Sequence, residues 1–360
     1  MINFSMANVV IGGAGGAPSE GVIYSLLKEN RDSIIGFGAD PSDLILSLAP
    51  IKVLIPFANK PHYQDNLLNL IAKMKIDYMH FQNDFEILTV SRLRDDILNS
   101  GVKLFMPSHD VIETCVDKFK SWNFFKLAGI KVPENILIRH KGDLVDAFNY
   151  LGNSQGEIWL RSTDVSGGGK GSIATSNFDM AKSWIEHYSG WGNFVAAEKL
   201  SNETVTWMSI WWEGTLVLAQ TRKRLGWIHS TRSISGVTGV TKVGVTISDP
   251  VVDEVAQRSV LAISNRPHGI FGVDMTFDAL GVPNPTEINI SRFFTTIRFF
   301  TEAGINFPSI AKNLSLYNEF PRLTKHINPL PDGLMWLRGM DTKPKLVKRE
   351  DFEEFVKNPK

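Results

Sequence analysis

The 360-residue chain predicts an α/β fold that opens with a doubly wound parallel sheet and continues into smaller α+β units. Three observations carry this. Over the first hundred residues short apolar runs alternate with amphipathic stretches, the pattern of parallel strands joined by crossover helices. Near Pro107 the pattern changes, and a small segment with a Gly-rich loop is followed by strand-like runs and a polar-faced hairpin. Hydrophobic content is 43%, ordinary for a globular protein, and no apolar run approaches the roughly 20 residues that span a bilayer.

Asn8-Val-Val-Ile reads as a buried strand, and after a Gly-rich turn Ser19 to Leu27 reads as a helix with Ser19 as N-cap. Ser33 to Phe37, Val53 to Pro56 and Tyr78 to Phe81 supply further strands, with Tyr63 to Lys75 and Ile87 to Ser100 as helices. Gly12-Gly13-Ala14-Gly15-Gly16 invites a dinucleotide reading, but the third glycine of Gly-x-Gly-x-x-Gly would fall on Pro18. Tight strand-to-helix packing is the expected role. Gln82-Asn83-Asp84-Phe85-Glu86 sits where an α/β sheet places its ligands, so Asn83 and Glu86 are candidate substrate contacts; helix capping by Asn83 or Asp84 is the alternative. A helix from Val111 to Leu127, opened by Pro107 to Asp110 and closed by Gly129, marks a domain boundary near residue 110.

Glu157-Ile-Trp-Leu-Arg161 is a short strand with one cation, feeding Ser166-Gly167-Gly168-Gly169-Lys170-Gly171. Without Cβ atoms such a loop can bring backbone N–H groups against an anion, although it fits neither a Walker A nor a Rossmann pattern. Strands are expected at Phe194 to Lys199, Thr204 to Trp212 and Leu216 to Thr221, the last ending in Arg222, Lys223 and Arg224, with Arg232 beyond a turn. Guanidinium forks at a strand end suit phosphate or carboxylate; a solvated face is the alternative. Phe271 to Phe277 and Thr286 to Arg292 read as a hairpin with Glu287 and Asn289 on one face and Asp274 opposite. Two carboxylates and an amide oxygen are a hard-donor set suited to Mg²⁺, not to zinc. Trp207, Trp211, Trp212 and Trp227 could line an acceptor pocket, with core packing as the alternative. His229 and His268 are candidate bases, set against a structural role.

With 38 basic and 38 acidic residues the net charge is zero, so no global field favours nucleic acid or an anionic membrane. The single cysteine, Cys115, excludes an intrachain disulfide and a Cys-rich metal site. The N-terminus lacks the basic and apolar regions of a signal peptide, and a cytoplasmic location is expected.

The order of these parts resembles the ATP-grasp superfamily, in its carbamoyl-phosphate-synthetase-like branch of carboxylate–amine ligases. The resemblance covers residues 8 to 312 and is most specific at Glu287-Ile288-Asn289-Ile290-Ser291-Arg292, where Ile-Ser replaces the usual Pro and shifts the Arg by one position. It implies an N-terminal pre-ATP-grasp domain (1–110), an ATP-grasp domain (111–312, lid about 132–197), and a tail (313–360) packed on the body. It also implies ATP and Mg²⁺, or Mn²⁺, as cofactors. Lys118, Arg161 and the flap Ser166 to Gly171 would approach the phosphates; Glu198, Lys199 and Leu200 would lie beside the adenine; Glu203 is a ribose or metal candidate offset by one residue. Asp274, Glu287 and Asn289 would hold the metal. Arg292 would neutralise the transferred phosphoryl group, with Arg222, Arg224, Arg232 and Arg298 as candidates to grip the carboxylate. The activity implied is acyl-phosphate formation from a small carboxylate and its coupling to an amine. A carbamate- or acyl-phosphate-forming enzyme and a non-catalytic nucleotide scaffold are the alternatives, and a homodimer is compatible with all three.

Overall fold

The computed structural model describes residues 6–163, 171–232, 240–339 and 345–357. Three sheets organise them. The first is parallel, with β1 (Asn8–Ile11), β2 (Ser33–Gly38), β3 (Ile51–Leu54), β4 (Tyr78–His80) and β5 (Lys103–Leu104) in the order β3-β2-β1-β4-β5. Val9, Val10 and Ile11 are fully buried because helices cover both faces. Strand order reverses between β1 and β4, so the loops after these two strands flank the crevice where such sheets bind ligands.

The glycine loop after β1 serves packing. Gly15 has φ +92°, and a Cβ there would stand 2.1 Å from the Asp43 carbonyl oxygen, which only glycine avoids. The helix that follows, Ala17–Glu29, begins after Gly16 with Pro18 in its first turn. Ser19 is therefore inside the helix and not its cap: it is buried and donates its hydroxyl to the Gly12 carbonyl at 2.7 Å.

The second sheet is antiparallel, with β6 (Asn135–Ile138), β7 (Ile158–Ser162), β8 (Ile173–Thr175) and β9 (Phe194–Glu198) in the order β6-β9-β7-β8. Helices Lys141–Leu151 and Phe178–His187 pack on it through Leu144, Ala147, Ala181 and Ile185, giving a small unit with its own core.

The third sheet contains β10 (Thr204–Trp212), β11 (Thr215–Trp227), β12 (Thr241–Ile247), β13 (Gly269–Phe277), β14 (Pro283–Ile290), β15 (Leu334–Leu337) and β16 (Lys345–Lys348), ordered β14-β13-β10-β11-β12-β15-β16. As an edge strand, β14 tolerates Pro283 and Pro285, which lack ladder donors. β11 runs 13 residues, well past Thr221, so Arg222 and Arg224 lie mid-strand and share a face instead of crowding a strand end. The tail adds β15 and β16 to this sheet, and Asn328 donates to the half-buried Asp253 carboxylate at 2.8 and 3.0 Å. No helix among the described residues is long and apolar enough to cross a membrane.

Candidate active site

A cavity of about 610 Å³ lies between the second sheet and the third. Its chemistry follows from register. Arg222 on β11 is opposite Thr206 on β10, Thr206 is opposite Asp274 on β13, and Asp274 is opposite Glu287 on β14. Residues in one transverse row project to the same face, so these four form a line across the cavity floor. Two residues further along β14, Asn289 returns to that face and donates from Nδ2 to Asp274 Oδ2 at 3.1 Å. On the other side Arg224 joins the row, with Nη2 3.4 Å from Asp274 Oδ1. Thr206 ties the row together: its hydroxyl accepts from Arg222 at 2.9 Å and from Arg224 at 3.1 Å, and donates to Asp274.

Arg222 is 1% exposed, and its partners are neutral: the Thr241 and Thr296 hydroxyls at 3.2 and 2.7 Å, Thr206, and the Phe294 ring 4.3 Å beneath the guanidinium. Its Nε has no acceptor among the described residues. Burial, with Arg224 beside it, lowers its pKa to about 9 despite Asp274 nearby. A buried cation held by hydroxyls is an incomplete ion pair, with capacity for an anion entering the cavity.

Two other walls bring further charge. The predicted single helix over Val111–Leu127 is two helices, His109–Val116 and Lys118–Leu127, broken at Asp117. Asp117 caps the second by accepting from the Phe119 and Lys120 N–H groups at 2.9 Å each. The break turns Lys118 toward Glu287, 3.6 Å away, where a solvated pair with Asp117 is the ordinary expectation. From the second sheet Arg161 crosses the cavity and donates to the Thr286 carbonyl at 3.1 Å, while its buried Nε has no acceptor among the described residues. Burial opposes ionisation of Glu287, but Lys118, Arg161, Arg292 and Arg224 outweigh it and hold its carboxyl below the usual range.

Arg292 shows how the altered signature is absorbed. β14 ends at Ile290, and Ser291 adopts φ +55°, a left-handed conformation unfavourable for a residue with a Cβ. The kink lets Arg292 donate to Asn289 Oδ1 and form a two-point pair with Asp84 at 2.5 and 3.1 Å. Burial would lower the Arg292 pKa, but Asp84 overrides it and raises it. Asp84, in the helix that follows β4, thus joins the parallel sheet to the site. It stands in the Gln82–Glu86 cluster, yet its partner is 208 positions away and nothing local marks the pairing.

Lys118, Arg161, Glu198, Lys199, Leu200, Arg222, Arg224, Asp274, Glu287, Asn289 and Arg292 all line the one cavity. Lys199 pairs with Glu157 at 2.6 Å, and Glu198 accepts from the Glu134 N–H at 3.3 Å. Gly171 (φ +77°) accepts from Trp184 Nε1 at 2.9 Å. Ser166, Gly167, Gly168, Gly169 and Lys170 lie outside the described residues, as does the loop Ser233 to Gly239; Arg232 ends a short 3₁₀ turn, Ser230–Arg232.

Other expected residues are placed elsewhere. Asn83 caps helix Asp84–Arg92, accepting from the Phe85 N–H at 2.9 Å. Glu86 is buried among Phe37, Phe81 and Tyr63, with Oε2 facing Gly12 and no partner among the described residues. Burial raises its pKa to about 8. Arg298 is occupied by Glu302 at 3.3 Å and by the Tyr24 ring, and Glu203 by Lys223 at 2.8 Å. Trp207 and Trp211 are core residues, and Trp212 packs against Phe105 and His268. Only Trp227 of the four reaches the cavity, stacked 4.1 Å from the Arg224 guanidinium. His268 pairs with Glu213 at 2.9 Å, and neither it nor His229 lines the cavity.

Six basic side chains (Lys118, Arg161, Lys199, Arg222, Arg224, Arg292) and four acidic ones (Asp84, Glu198, Asp274, Glu287) line the cavity, an excess of two positive charges in a chain that is neutral overall. Such a site suits a polyanion. Among the described residues there is no group of three or more His, Cys, Asp or Glu side chains able to hold a metal. Asp274, Glu287 and Asn289 are therefore a partial oxygen donor set, which fits Mg²⁺, an ion that binds through one or two carboxylates together with substrate phosphates.

No family model and no curated protein sequence matches the chain. Solved structures do. N5-carboxyaminoimidazole synthetase from Staphylococcus aureus, complexed with ADP, superposes with a TM-score of 0.71 at 15% identity over all of this chain and 88% of that one. Biotin carboxylase from Campylobacter jejuni, in a β,γ-ATP complex, gives 0.69 at 15% identity over 93% of this chain and 76% of that one. L-amino acid ligase from Bacillus licheniformis gives 0.68 at 11% identity, covering 98% and 86%. At these identities the likeness is one of fold, and it extends over nearly the whole length of this chain. The chain has the ATP-grasp fold.

Proposed function

We propose that the chain is an ATP-dependent carboxylate–amine ligase that activates a small carboxylate as an acyl phosphate and couples it to an amine, releasing ADP and phosphate. The observation that carries the reading is the incomplete charge balance of one cavity: buried Arg222, in one row with Asp274 and Glu287, and Arg161, reaching in from the second sheet, both lack full partners among the described residues. Among the neighbours, the synthetase and the carboxylase are nucleotide complexes by description, which supports ATP as the polyanion.

In this reading a carboxylate oxygen forms a bond to the γ-phosphorus of ATP while the bond from that phosphorus to the β–γ bridging oxygen breaks, and ADP leaves. The amine nitrogen then attacks the acyl carbon, phosphate departs with the electron pair of the C–O bond, and the nitrogen loses a proton. Arg161 and Lys118 neutralise phosphate oxygens from opposite walls. Arg222 and Arg224 hold the carboxylate against their hydroxyl-lined floor, and Arg292, kept charged by Asp84, faces the transferred group. Asp274, Glu287 and Asn289 would hold Mg²⁺, which supplies further neutralisation of the phosphates. The protein contributes positioning, charge stabilisation and exclusion of water, so no nucleophilic side chain is needed.

Calorimetric titration with Mg²⁺-ATP and Mg²⁺-ADP tests the nucleotide half of this reading. One site per chain is expected, with Arg161→Ala raising the Kd at least about tenfold. Absence of binding by the intact protein would refute the proposal.

A further inference from the structure

Gly244 stands in the middle of β12, where glycine weakens a strand and usually marks a bulge or a close approach. Its φ is not in the left-handed region, so the backbone conformation admits alanine. The irregular stretch of β11 opposite, between Arg224 and Trp227, carries its own glycine, Gly226. What Gly244 does not admit is the extra carbon. A Cβ there would stand 2.9 Å from Cδ and 3.3 Å from Cγ of Arg222. Register explains the contact: Gly244 is opposite Arg224, and Thr246 is opposite Arg222. The Arg222 stem therefore slants across the space that Gly244 leaves and delivers its guanidinium to the hydroxyls of Thr241, Thr296 and Thr206 at 3.2, 2.7 and 2.9 Å. The Phe294 ring lies 4.3 Å from the guanidinium carbon, and the side chain as a whole is 1% exposed.

We infer that Gly244 is a positioning residue: its missing Cβ sets where the Arg222 guanidinium lies, and with it where an anion is held on the cavity floor. Carbon atoms pack best at about 3.5–4.0 Å, so a methyl group at Gly244 must lift the Arg222 stem off the floor by roughly 0.6 Å or more. A side chain packed against a ring and held at three hydroxyls cannot move that far without losing some of those bonds. On the ligase reading, on which this consequence rests, Arg222 grips the carboxylate, and the shift misplaces the attacking oxygen. Gly244→Ala should then raise KM for the carboxylate at least about tenfold while KM for Mg²⁺-ATP stays within about twofold.

A double-mutant cycle with two readouts tests the assignment. In thermal unfolding, Gly244→Ala should lower Tm by about 2–4 °C in the native background. In Arg222→Ala, where the obstructing stem is gone, the same substitution should leave Tm unchanged or raise it. Gly226→Ala, whose Cβ would meet nothing within 4 Å, should not lower Tm in either background. The second readout is the pair of KM values, measured on Gly244→Ala alone. Equal Tm losses in both backgrounds, or none in either, would overturn the inference, because Gly244 would then not act through Arg222. So would a Tm loss confined to the native background with an unchanged carboxylate KM, which would make the contact one of packing alone. Wild-type ADP release indifferent to every carboxylate would refute the ligase reading instead, and the Tm cycle, which needs no turnover, would still decide whether Gly244 sets the place of Arg222.

Discussion

Replacing Glu86 by Gln should stabilise the protein, and by an amount that grows with pH. The carboxyl is buried against Gly12, Phe37 and Phe81, with one long contact from the Tyr63 hydroxyl at 3.4 Å. Burial raises its pKa from the usual 4.5 to about 8. Below pH 4.5 the group is protonated in folded and unfolded chains alike and has no effect. Between 4.5 and about 8 the unfolded chain releases the proton while the folded chain retains it, so stability falls as pH rises, and above about 8 the loss is complete. At about 1.4 kcal/mol per pH unit the full cost is on the order of 5 kcal/mol, of which roughly 3 kcal/mol is already present at pH 7. Glutamine keeps the shape and cannot ionise. Scanning calorimetry of both proteins from pH 4.5 to 8.5 should give Tm values that coincide at the acid end and separate steadily toward the alkaline end, the variant being the more stable. Parallel Tm profiles would refute the reasoning and mean that the carboxylate is charged and paired in the fold, as a substrate ligand would be.

Three further outcomes are expected. Asp274→Asn and Glu287→Gln should each lower Mg²⁺-dependent turnover at least about 100-fold, roughly 3 kcal/mol of transition-state stabilisation, with an unchanged Tm; retained turnover in both would remove the metal assignment. Arg222→Met lifts the cost of burying an incompletely paired cation, so Tm should hold or rise while KM for the carboxylate increases more than about tenfold. A Tm loss above about 4 °C with KM unchanged would instead make Arg222 a packing residue. Asp117→Ala removes the cap that aims Lys118 and should cost about 1 kcal/mol of stability together with weaker Mg²⁺-ATP binding, measured by urea denaturation and calorimetry.

The parallel sheet, the small antiparallel unit and the Asp274–Glu287–Asn289 hairpin were legible because each rests on local periodicity: short apolar runs, alternation along a strand, glycine at turns. What was not legible depends on register between distant segments. That Thr206 stands between Arg222 and Asp274 is set by pairing across three strands. Asp84 meets Arg292 only because the helix after β4 packs near the end of β14. The split at Asp117 is a capping choice, and a continuous helical pattern across Cys115–Lys118 hid it. Asn83 takes the capping role that was its alternative, and Arg298 is occupied by an acidic neighbour four residues away, so each polar residue is engaged locally.

The most direct measurement of the central claim is ADP formation from Mg²⁺-ATP over a panel of small carboxylates, each with hydroxylamine present to intercept an acyl phosphate. ADP release should depend on one class of carboxylate and yield the hydroxamate of matching mass, with both signals lost in Glu287→Gln. ADP release that is indifferent to every carboxylate and leaves no hydroxamate, from a protein that binds ATP, would contradict it.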